Sequence, residues 1–308
     1  MKNYSFTIII LVSVVVAYFF PSYFVYIGNV KLSTMIPYLL QTLMFGMGTT
    51  MKAEDFINVI KNPKGVFVGL ICHFGFMASL AFTLTKIFTF PAEIAAGLIL
   101  IGSCPSGLSS NIMAFLAKAN VALSITITSL ATFLSPVLTP FLMKSLGGGY
   151  IDVDFFAMMI YILKIIVLPI SVGYLINTYF KSLALSLRPV LPIISMVSVL
   201  FIMIIVIAAG HDSLTQVGPL LILALVIQLS AGFYFGYTVA KKVFHLPERD
   251  SRTISFVVGL INGGLASALA DSMHKLATVG LASAIFGAMM NTGGTILASF
   301  WAKKEIID

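Results

Sequence analysis

The chain has 308 residues, of which 59% are hydrophobic and only 9% are charged, and its formal net charge is +7. Because a soluble domain usually carries about 25% charged residues, this composition excludes a soluble globular protein. The apolar runs are long and do not alternate, which argues against an outer-membrane barrel, and surplus lysine and arginine in a membrane protein indicate cytoplasmic loops rather than a nucleic-acid surface.

Breaks between the apolar runs predict an all-α protein with ten membrane-spanning helices, each of roughly 20 residues. We number them helix 1 to helix 10. Their predicted bounds are 5–22, 31–50, 65–89, 92–118, 121–145, 155–179, 188–209, 216–243, 251–274 and 278–302. Three glycines at 147–149, followed by Asp152 and Asp154, predict a linker between two halves, 1–146 and 155–303.

Positive charges predict the orientation of the helices. With the N-terminus inside, 13 lysines and arginines fall in inside segments and 4 fall in outside segments. Cytoplasmic loops of membrane proteins carry this excess, so we expect both termini to lie in the cytoplasm. We expect the protein to be a monomer in the lipid bilayer.

The two halves repeat each other. A shift of 157 residues places the Gly-Leu-Ser-Ser run at 107–110 on the Gly-Leu-Ala-Ser run at 264–267, and it pairs helices 1–5 with helices 6–10. Since five is an odd number, the two copies must have opposite orientations. Inverted repeats of this kind are typical of secondary transporters.

Helices 4 and 9 are interrupted at corresponding places. Helix 4 contains Pro105 among glycines and serines at 102–111, and helix 9 contains Asn262 among glycines at 259–264. Unwound backbone inside a membrane is tolerated only within protein or beside a wet cavity. The paired breaks therefore predict a transport site near the midplane, with half-helix ends that offer amide donors to an anion.

Helix 5 carries hydroxyl groups on one face. Ser124, Thr128 and Thr132 are spaced by four residues and are able to join Ser110 and Asn111 as neutral oxygen ligands of a hard cation. The alternative is that each hydroxyl bonds back to a carbonyl of its own helix, which the spacing alone favours.

The stretches 102–125, 258–270 and 289–301 resemble the bile acid:sodium symporter family. The resemblance implies a panel domain made of helices 1, 2, 6 and 7. It also implies a core domain made of helices 3–5 and 8–10, in which the broken helices 4 and 9 cross at the binding site. It implies transport by alternating access.

The resemblance also implies site residues. Ser110, Asn111, Ser124 and Thr128 would form a sodium site, and Asn262 and Asn291, with Ser109 and Gly263, would contact the substrate. The sequence departs from the family in helix 9, where Val257 stands in the place of a glutamate and Ile261 in the place of a glutamine. No acidic residue falls mid-membrane by the predicted spans, so we expect a weakened sodium site and no other cofactor.

The function predicted is secondary transport of a small organic anion, either a bile acid or a pantothenate-like acid, with sodium coupling impaired. A sodium-independent facilitator and a membrane ligand-binding or sensor protein are the alternatives. No enzyme is expected, since the sequence contains no metalloprotease, Walker or dinucleotide-binding pattern. His73 in helix 3 is either a proton carrier or a packed, hydrogen-bonded core histidine, and the second reading is favoured.

Overall fold

A computed structural model describes residues 5–54, 57, 62–187, 189–304 and 306. Within this part the chain is almost entirely helical, apart from a small hairpin that pairs Tyr26–Ile27 with Val30–Lys31. Lys2, Lys61 and Arg188, which contribute to the charge asymmetry, lie outside the described residues.

In the described part of the chain, ten helical segments follow the predicted order, with segments 4 and 9 each divided into two half-helices and with short extra helices at Ser22–Val25 and Lys181–Leu187. Their bounds are α1 Ser5–Phe19, α2 Ile36–Thr50, α3 Pro63–Ile87, α4a Ala92–Ser103, α4b Ser109–Leu116, α5 Val121–Gly147, α6 Phe155–Tyr179, α7 Leu191–Ala209, α8 His211–Val243, α9a Glu248–Gly259, α9b Gly263–Ser272 and α10 Val279–Ala302. Five of them, α3, α5, α6, α8 and α10, are long and apolar enough to cross a bilayer as continuous helices. The chain is an all-α polytopic membrane protein.

Several helix ends differ from the predicted ones. Helix 8 begins at His211 rather than 216, and helix 9 begins at Glu248 rather than 251. Both early starts place an acidic side chain, Asp212 or Glu248, in the first helical turn, where the helix dipole favours negative charge. The apolar-run criterion counted these polar residues as loop.

Helices 1 and 2 are shorter than predicted. Helix 1 ends at Phe19, before Pro21, and a separate short helix spans Ser22–Val25. Residues assigned to the start of helix 2 instead form the hairpin and a 3-10 turn, Leu32–Met35. Gly28 has a φ of +59°, a conformation that favours glycine and allows the tight hairpin turn. The predicted start of helix 7, residue 188, lies outside the described residues.

Matching elements of the two halves lie 156 residues apart in the structure, whereas the glycine motif in the sequence predicts a shift of 157; the repeat itself stays a prediction. Half-helices α4a and α9a each have twelve residues and follow Pro91 and Pro247, which are 156 positions apart. After α4b and α9b, Lys118 and His274 both take a left-handed conformation, with φ of 55° and 57°, as often happens at the end of a helix. The unwound segments differ in length, which displaces the glycine motif used for the sequence alignment.

The helices pack in two groups. In one group, α2 lies along α6, and α7 packs on α1 and α2. In the other group, α3 packs on α4a, α8 on α9a, and α10 on α4a and α9b. Small residues allow the close approach in both groups: a Cβ built on Gly48 would lie 2.1 Å from the carbonyl oxygen of Ile170. The groups meet where α2 and α7 contact α9b and α10.

Candidate functional site

The two unwound segments cross and pair through their backbones. The amide of Asn262 donates to the carbonyl of Pro105 at 2.8 Å, and the amide of Gly107 donates to the carbonyl of Leu260 at 3.0 Å. These two bonds flank an antiparallel bridge between Ser106 and Ile261. The breaks therefore satisfy part of each other's backbone hydrogen-bonding capacity, which the bilayer interior could not do.

Beside the crossing, four oxygen-bearing side chains form a cluster that we call the hydroxyl cluster: Ser110, Asn111, Ser124 and Thr128. Ser124 Oγ donates to Asn111 Oδ1 at 2.8 Å, and Ser110 Oγ lies 3.1 Å from Thr128 Oγ1. Thr128 Oγ1 lies 3.5 Å from Asn111 Oδ1. The structure thus brings together all four residues that the resemblance implied for a sodium site.

The hydroxyls of the cluster are buried, Asn111 is half-buried, and the cluster connects directly to the crossing. Ser110 and Ser124 are 0% exposed and Thr128 is 1% exposed. Ser110 Oγ also donates to the carbonyl of Gly107 at 2.8 Å and lies 3.3 Å from Ser106 Oγ. Oxygen atoms at this spacing suit a small hard cation, which prefers oxygen ligands.

Thr132 does not belong to this cluster. Its hydroxyl donates to the carbonyl of Thr128, four residues earlier in α5, at 2.7 Å. For this residue the back-bonding alternative is therefore the observed one. Ser124 and Thr128 instead direct their hydroxyls across to α4b.

The hydroxyl cluster contains only neutral ligands. Val257 and Ile261, the positions where the resemblance implies a glutamate and a glutamine, are both 0% exposed and contribute only apolar side chains. Among the residues that the structure describes, there is no group of three or more His, Cys, Asp or Glu able to hold a metal ion. The side chains fit a weakly held monovalent cation better than a divalent one.

The predicted substrate contacts lie on the side of the crossing that faces α10. Ser109 Oγ donates to Asn291 Oδ1 at 3.3 Å, and Asn291 Nδ2 donates to the carbonyl of Gly287 at 2.7 Å. Gly263 lies against the same part of α10, since a Cβ built on it would be 4.0 Å from the Cα of Gly287. Ser109, Gly263 and Asn291 are therefore neighbours across α4b, α9b and α10.

Asn262 also has a structural role. Its Oδ1 accepts a hydrogen bond from the amide of Leu265 at 3.1 Å and so caps the start of α9b. Asn262, Gly263 and Ser109 are all half-buried, in contrast to the fully buried residues around them. The crossing thus presents polar groups to open space, beside the point where α4b and α9b begin.

Sequence reasoning missed a charged cluster at one end of the core helices. Asp250 accepts hydrogen bonds from Asn62 Nδ2 at 3.0 Å and from Asn120 Nδ2 at 2.7 Å. The Oδ1 atoms of these asparagines cap α3 and α5, through the amides of Gly65 and Leu123. One carboxylate at the start of α9a thereby ties together the starts of three helices.

Arg252 is the second member of this charged cluster, and it is only 1% exposed. Its Nε donates to Glu248 Oε1 at 2.8 Å, and its Nη1 donates to the carbonyls of Trp301 at 3.1 Å and Ala117 at 3.4 Å. A guanidinium at the ends of α4b and α10 is favoured by both helix dipoles. The only sequence signal was the cap asparagines before α3 and α5, since the partners are far apart in the chain.

The opposite end of the core has its own ion pair. Glu93 at the start of α4a accepts from Lys275 Nζ and from Thr278 Oγ1, which both precede α10. Residues that the charge pattern assigns to the inside thus meet at one end of the molecule, and those assigned to the outside meet at the other. The assignment of the first end to the cytoplasm stays a prediction.

The family model and the relatives that match this chain agree with each other. A family model described as the sodium bile acid symporter family matches residues 37–217. The chain is 34% identical over 300 residues, which are 97% of this chain and 91% of the relative, to an uncharacterized sodium-dependent transporter, YocS, of Bacillus subtilis (strain 168). It is 32% identical over 268 residues, 86% of this chain and 67% of the relative, to a probable sodium/metabolite cotransporter, BASS1, of Arabidopsis thaliana chloroplasts.

Proposed function

Since this chain belongs to the sodium bile acid symporter family, we propose that it carries a small organic anion across the bilayer by alternating access. The relatives are named as transporters, and the chain is likewise a membrane transporter rather than an enzyme. The identity of the anion and the ion that drives its transport are the parts that we propose.

The observation that carries the proposal is the crossing of two unwound helices beside half-buried polar groups. Half-helices α4b and α9b both begin there, at Ser109 and Gly263. The N-terminal end of a helix carries partial positive charge, which attracts an anion. A carboxylate in this field would accept from the side-chain amide of Asn262, which leaves hydroxyl groups of the substrate to Asn291 and Ser109.

The site holds no basic side chain, and this limits the charge of the substrate. Helix dipoles act like about half an elementary charge at each end. Two such ends offset a single carboxylate, whereas a second carboxylate would need a cation beside it. The site therefore favours monoanions, such as bile acids or pantothenate-like acids, over dianions.

The moving parts in this proposal are the two helix groups. The group of α1, α2, α6 and α7 would act as the panel, and α3–α5 with α8–α10 would act as the core. The two groups meet where α1, α2 and α7 contact α9b and α10, and again where α6 packs on α5 and α7 meets α8. Rocking of one group against the other would open the crossing to each side in turn.

Sodium coupling is weaker in this proposal than in relatives that carry the family glutamate. Stripping water from a hard cation is costly, and a carboxylate ligand offsets much of that cost. The hydroxyl cluster offers none, and the buried apolar side chains of Val257 and Ile261 favour the sodium-independent alternative. A ligand-binding or sensor protein stays the second alternative.

Uptake into proteoliposomes tests the proposal. Vesicles loaded with unlabelled pantothenate or taurocholate and diluted into the labelled compound should exchange it, without any ion gradient. Binding without exchange would favour the sensor alternative. Uptake that rises steeply with sodium would contradict impaired coupling.

The proposal places the protein as a monomer in the bacterial inner membrane, with both termini in the cytoplasm. Cysteines introduced singly, at Lys304 and at Lys144, would test this with a membrane-impermeant label. The native thiols of Cys72 and Cys104 are 3% and 0% exposed, so they should give little background. Labelling of position 304 from the outside would overturn the orientation.

A further inference from the structure

A buried histidine of α3 lies where two broken helices end. His73 is 0% exposed and sits in a π-helical turn of α3, Ile71–Phe76. Its Nε2 lies 2.9 Å from the carbonyl oxygen of Cys104, the residue that follows α4a. The carbonyls of Val257 and Val258, in the last turn of α9a, also lie close to the ring. Such π-helical turns occur frequently at functional sites.

Two features of the surroundings act in opposite directions on a positive charge of the ring: complete burial disfavours it, and helix-end carbonyls favour it. The last carbonyls of a helix have no partner within that helix, and the C-terminal end of a helix carries partial negative charge. Here two such ends, those of α4a and α9a, converge on one imidazole. Carbonyl oxygens can only accept hydrogen bonds, so they favour ring nitrogens that carry hydrogen.

The ring itself has room for a second proton. Nε2 must carry hydrogen to donate to Cys104, which in a neutral imidazole leaves Nδ1 as an acceptor. Nδ1 is buried and has no hydrogen-bond partner among the described atoms. A buried acceptor without a donor is costly, and a proton on Nδ1 would remove that cost but would bury a charge, which the carbonyls of Val257 and Val258 near the ring offset in part.

Other titratable side chains do not determine the environment of the His73 ring. Cys72 precedes His73 in the chain and the carbonyl of Cys104 accepts from the ring, and both cysteines are buried. The helices packed against the π-helical turn are α4a, α8 and α9a. Together with α3, they carry further titratable side chains at Lys64, Lys86, Glu93, His211, Asp212, Tyr234, Tyr237, Lys241, Lys242, Glu248, Arg249, Asp250 and Arg252. The nearest along α9a is Arg252, five residues before Val257 and so about 7.5 Å away along the axis.

We propose that His73 takes up and releases a proton during transport, so that the imidazolium, held by helix-end carbonyls, is the coupling cation of this chain. The step is reversible protonation of Nδ1, with the proton drawn from water on one side of the membrane and returned on the other. This proposal rests on the transport function proposed above. Complete burial of the ring fits it, because a coupling ion must not leak while the site is closed.

The transport test uses an inward proton gradient in the proteoliposomes described above. If one proton accompanies one monoanion, a gradient of one pH unit permits about tenfold accumulation. We expect His73→Gln to lose this accumulation, since glutamine can donate to Cys104 but cannot titrate. We expect the same variant to retain gradient-free exchange of pantothenate or taurocholate.

The matched control is His245→Asn. His245 is exposed and has a φ of 50°, a conformation that asparagine tolerates. This variant should accumulate substrate like the parent. Equal accumulation by His73→Gln and the parent, or accumulation driven by sodium alone, would overturn the proton proposal while leaving the transport function intact. Absence of exchange in the parent would instead count against the proposed function.

A second measurement needs no substrate. The chain has only 4 histidines, so ¹⁵N-histidine labelling in lipid bilayers gives few signals, and the one missing in His73→Gln belongs to His73. We expect a doubly protonated form of that ring to appear as the pH of the bilayer sample is lowered, since the proposal requires protonation of Nδ1. A single neutral form at every pH at which the parent accumulates substrate would overturn the proposal, whatever the transport result.

Discussion

The crossing and the charged cluster place polar groups inside the same helices in opposite ways. At the crossing the side chains are neutral, half-buried in part, and bonded through single hydroxyls and amides. In the charged cluster Arg252, Glu248 and Asp250 are buried and each has several partners. Strong, fully paired charges suit a contact between helices that must stay closed. Weaker, neutral groups suit a site that binds and releases ligands.

The largest effect that this comparison predicts is on stability. Arg252→Ala should leave the carboxylate of Glu248 without its buried partner and should free the helix-end carbonyls of Ala117 and Trp301. Breaking a buried pair in this way typically costs about 3–5 kcal/mol. A large drop in the thermal midpoint of the purified protein is the expected result.

Lys242→Ala is the control for this variant, because Lys242 lies nearby on α8 and is exposed. Its midpoint should stay within a degree or two of the parent, since exposed charges contribute little. Equal midpoints for Arg252→Ala and the parent would remove the distinction drawn between the two regions.

The second prediction turns the neutral region into a charged one. Val257→Glu combined with Ile261→Gln should raise sodium affinity, because it restores the carboxylate and the amide that the family resemblance implies at these positions. Hydrogen bonds and contacts to charged groups are worth about 1.5–3 kcal/mol, so the increase should be about 10- to 150-fold. Thermal shift against sodium concentration, with potassium as the matched salt, measures it.

Val257→Gln with Ile261→Gln is the control for the carboxylate, because it adds polar groups without charge. It should gain less than the double variant that contains glutamate. Tight sodium binding by the parent chain, unaltered by either variant, would show that the missing ligands are not Val257 and Ile261.

The third prediction concerns the substrate side of the crossing. Asn262→Ala and Asn291→Ala should each weaken anion binding by about 5- to 150-fold, since each leaves polar ligand atoms unpaired at about 1–3 kcal/mol. Calorimetric titration with pantothenate and with taurocholate checks this. Asn262→Ser separates binding from folding, because serine can still cap α9b but offers no amide donors.

If both alanine variants bind these acids as tightly as the parent, the substrate does not contact the crossing. If Asn262→Ser binds like the parent while Asn262→Ala does not, the effect comes from the lost cap rather than from lost ligand contacts.

The smallest expected effect is a difference in sodium response between variants of two threonines that lie one helical turn apart in α5. Thr128→Ala should weaken the residual sodium response, because its hydroxyl faces Ser110 and Asn111. Thr132→Ala should change it by no more than a fraction of a kcal/mol, since that hydroxyl bonds to its own helix. Equal losses in both variants would place the cation deeper in α5 than the hydroxyl cluster.

Much of the fold follows from short-range signals in the sequence. Apolar runs located ten helices, and Pro105 and the glycines around Asn262 located the breaks, because backbone constraints act within a few residues. Helix starts were missed where polar residues belong to the helix, as at His211 and Glu248. There the dipole and burial against other helices outweigh hydropathy.

The candidate site was predictable to a smaller extent. The structure brings the implied residues together, but their roles as ligands stay a prediction. The joint made by Asp250 was not predictable, because its partners Asn62 and Asn120 lie 188 and 130 residues away in the chain. A single sequence carries no signal for pairings of that length.

The paired backbone bonds at the crossing also have a mechanical consequence. Asn262 with Pro105 and Gly107 with Leu260 link the two broken helices in both directions, so neither can slide along the other without losing both bonds. Their loss would leave buried backbone groups without partners, which is costly. The four half-helices must therefore move as one rigid body. An anion and a cation bound to it then gain or lose access to a compartment in the same conformational change.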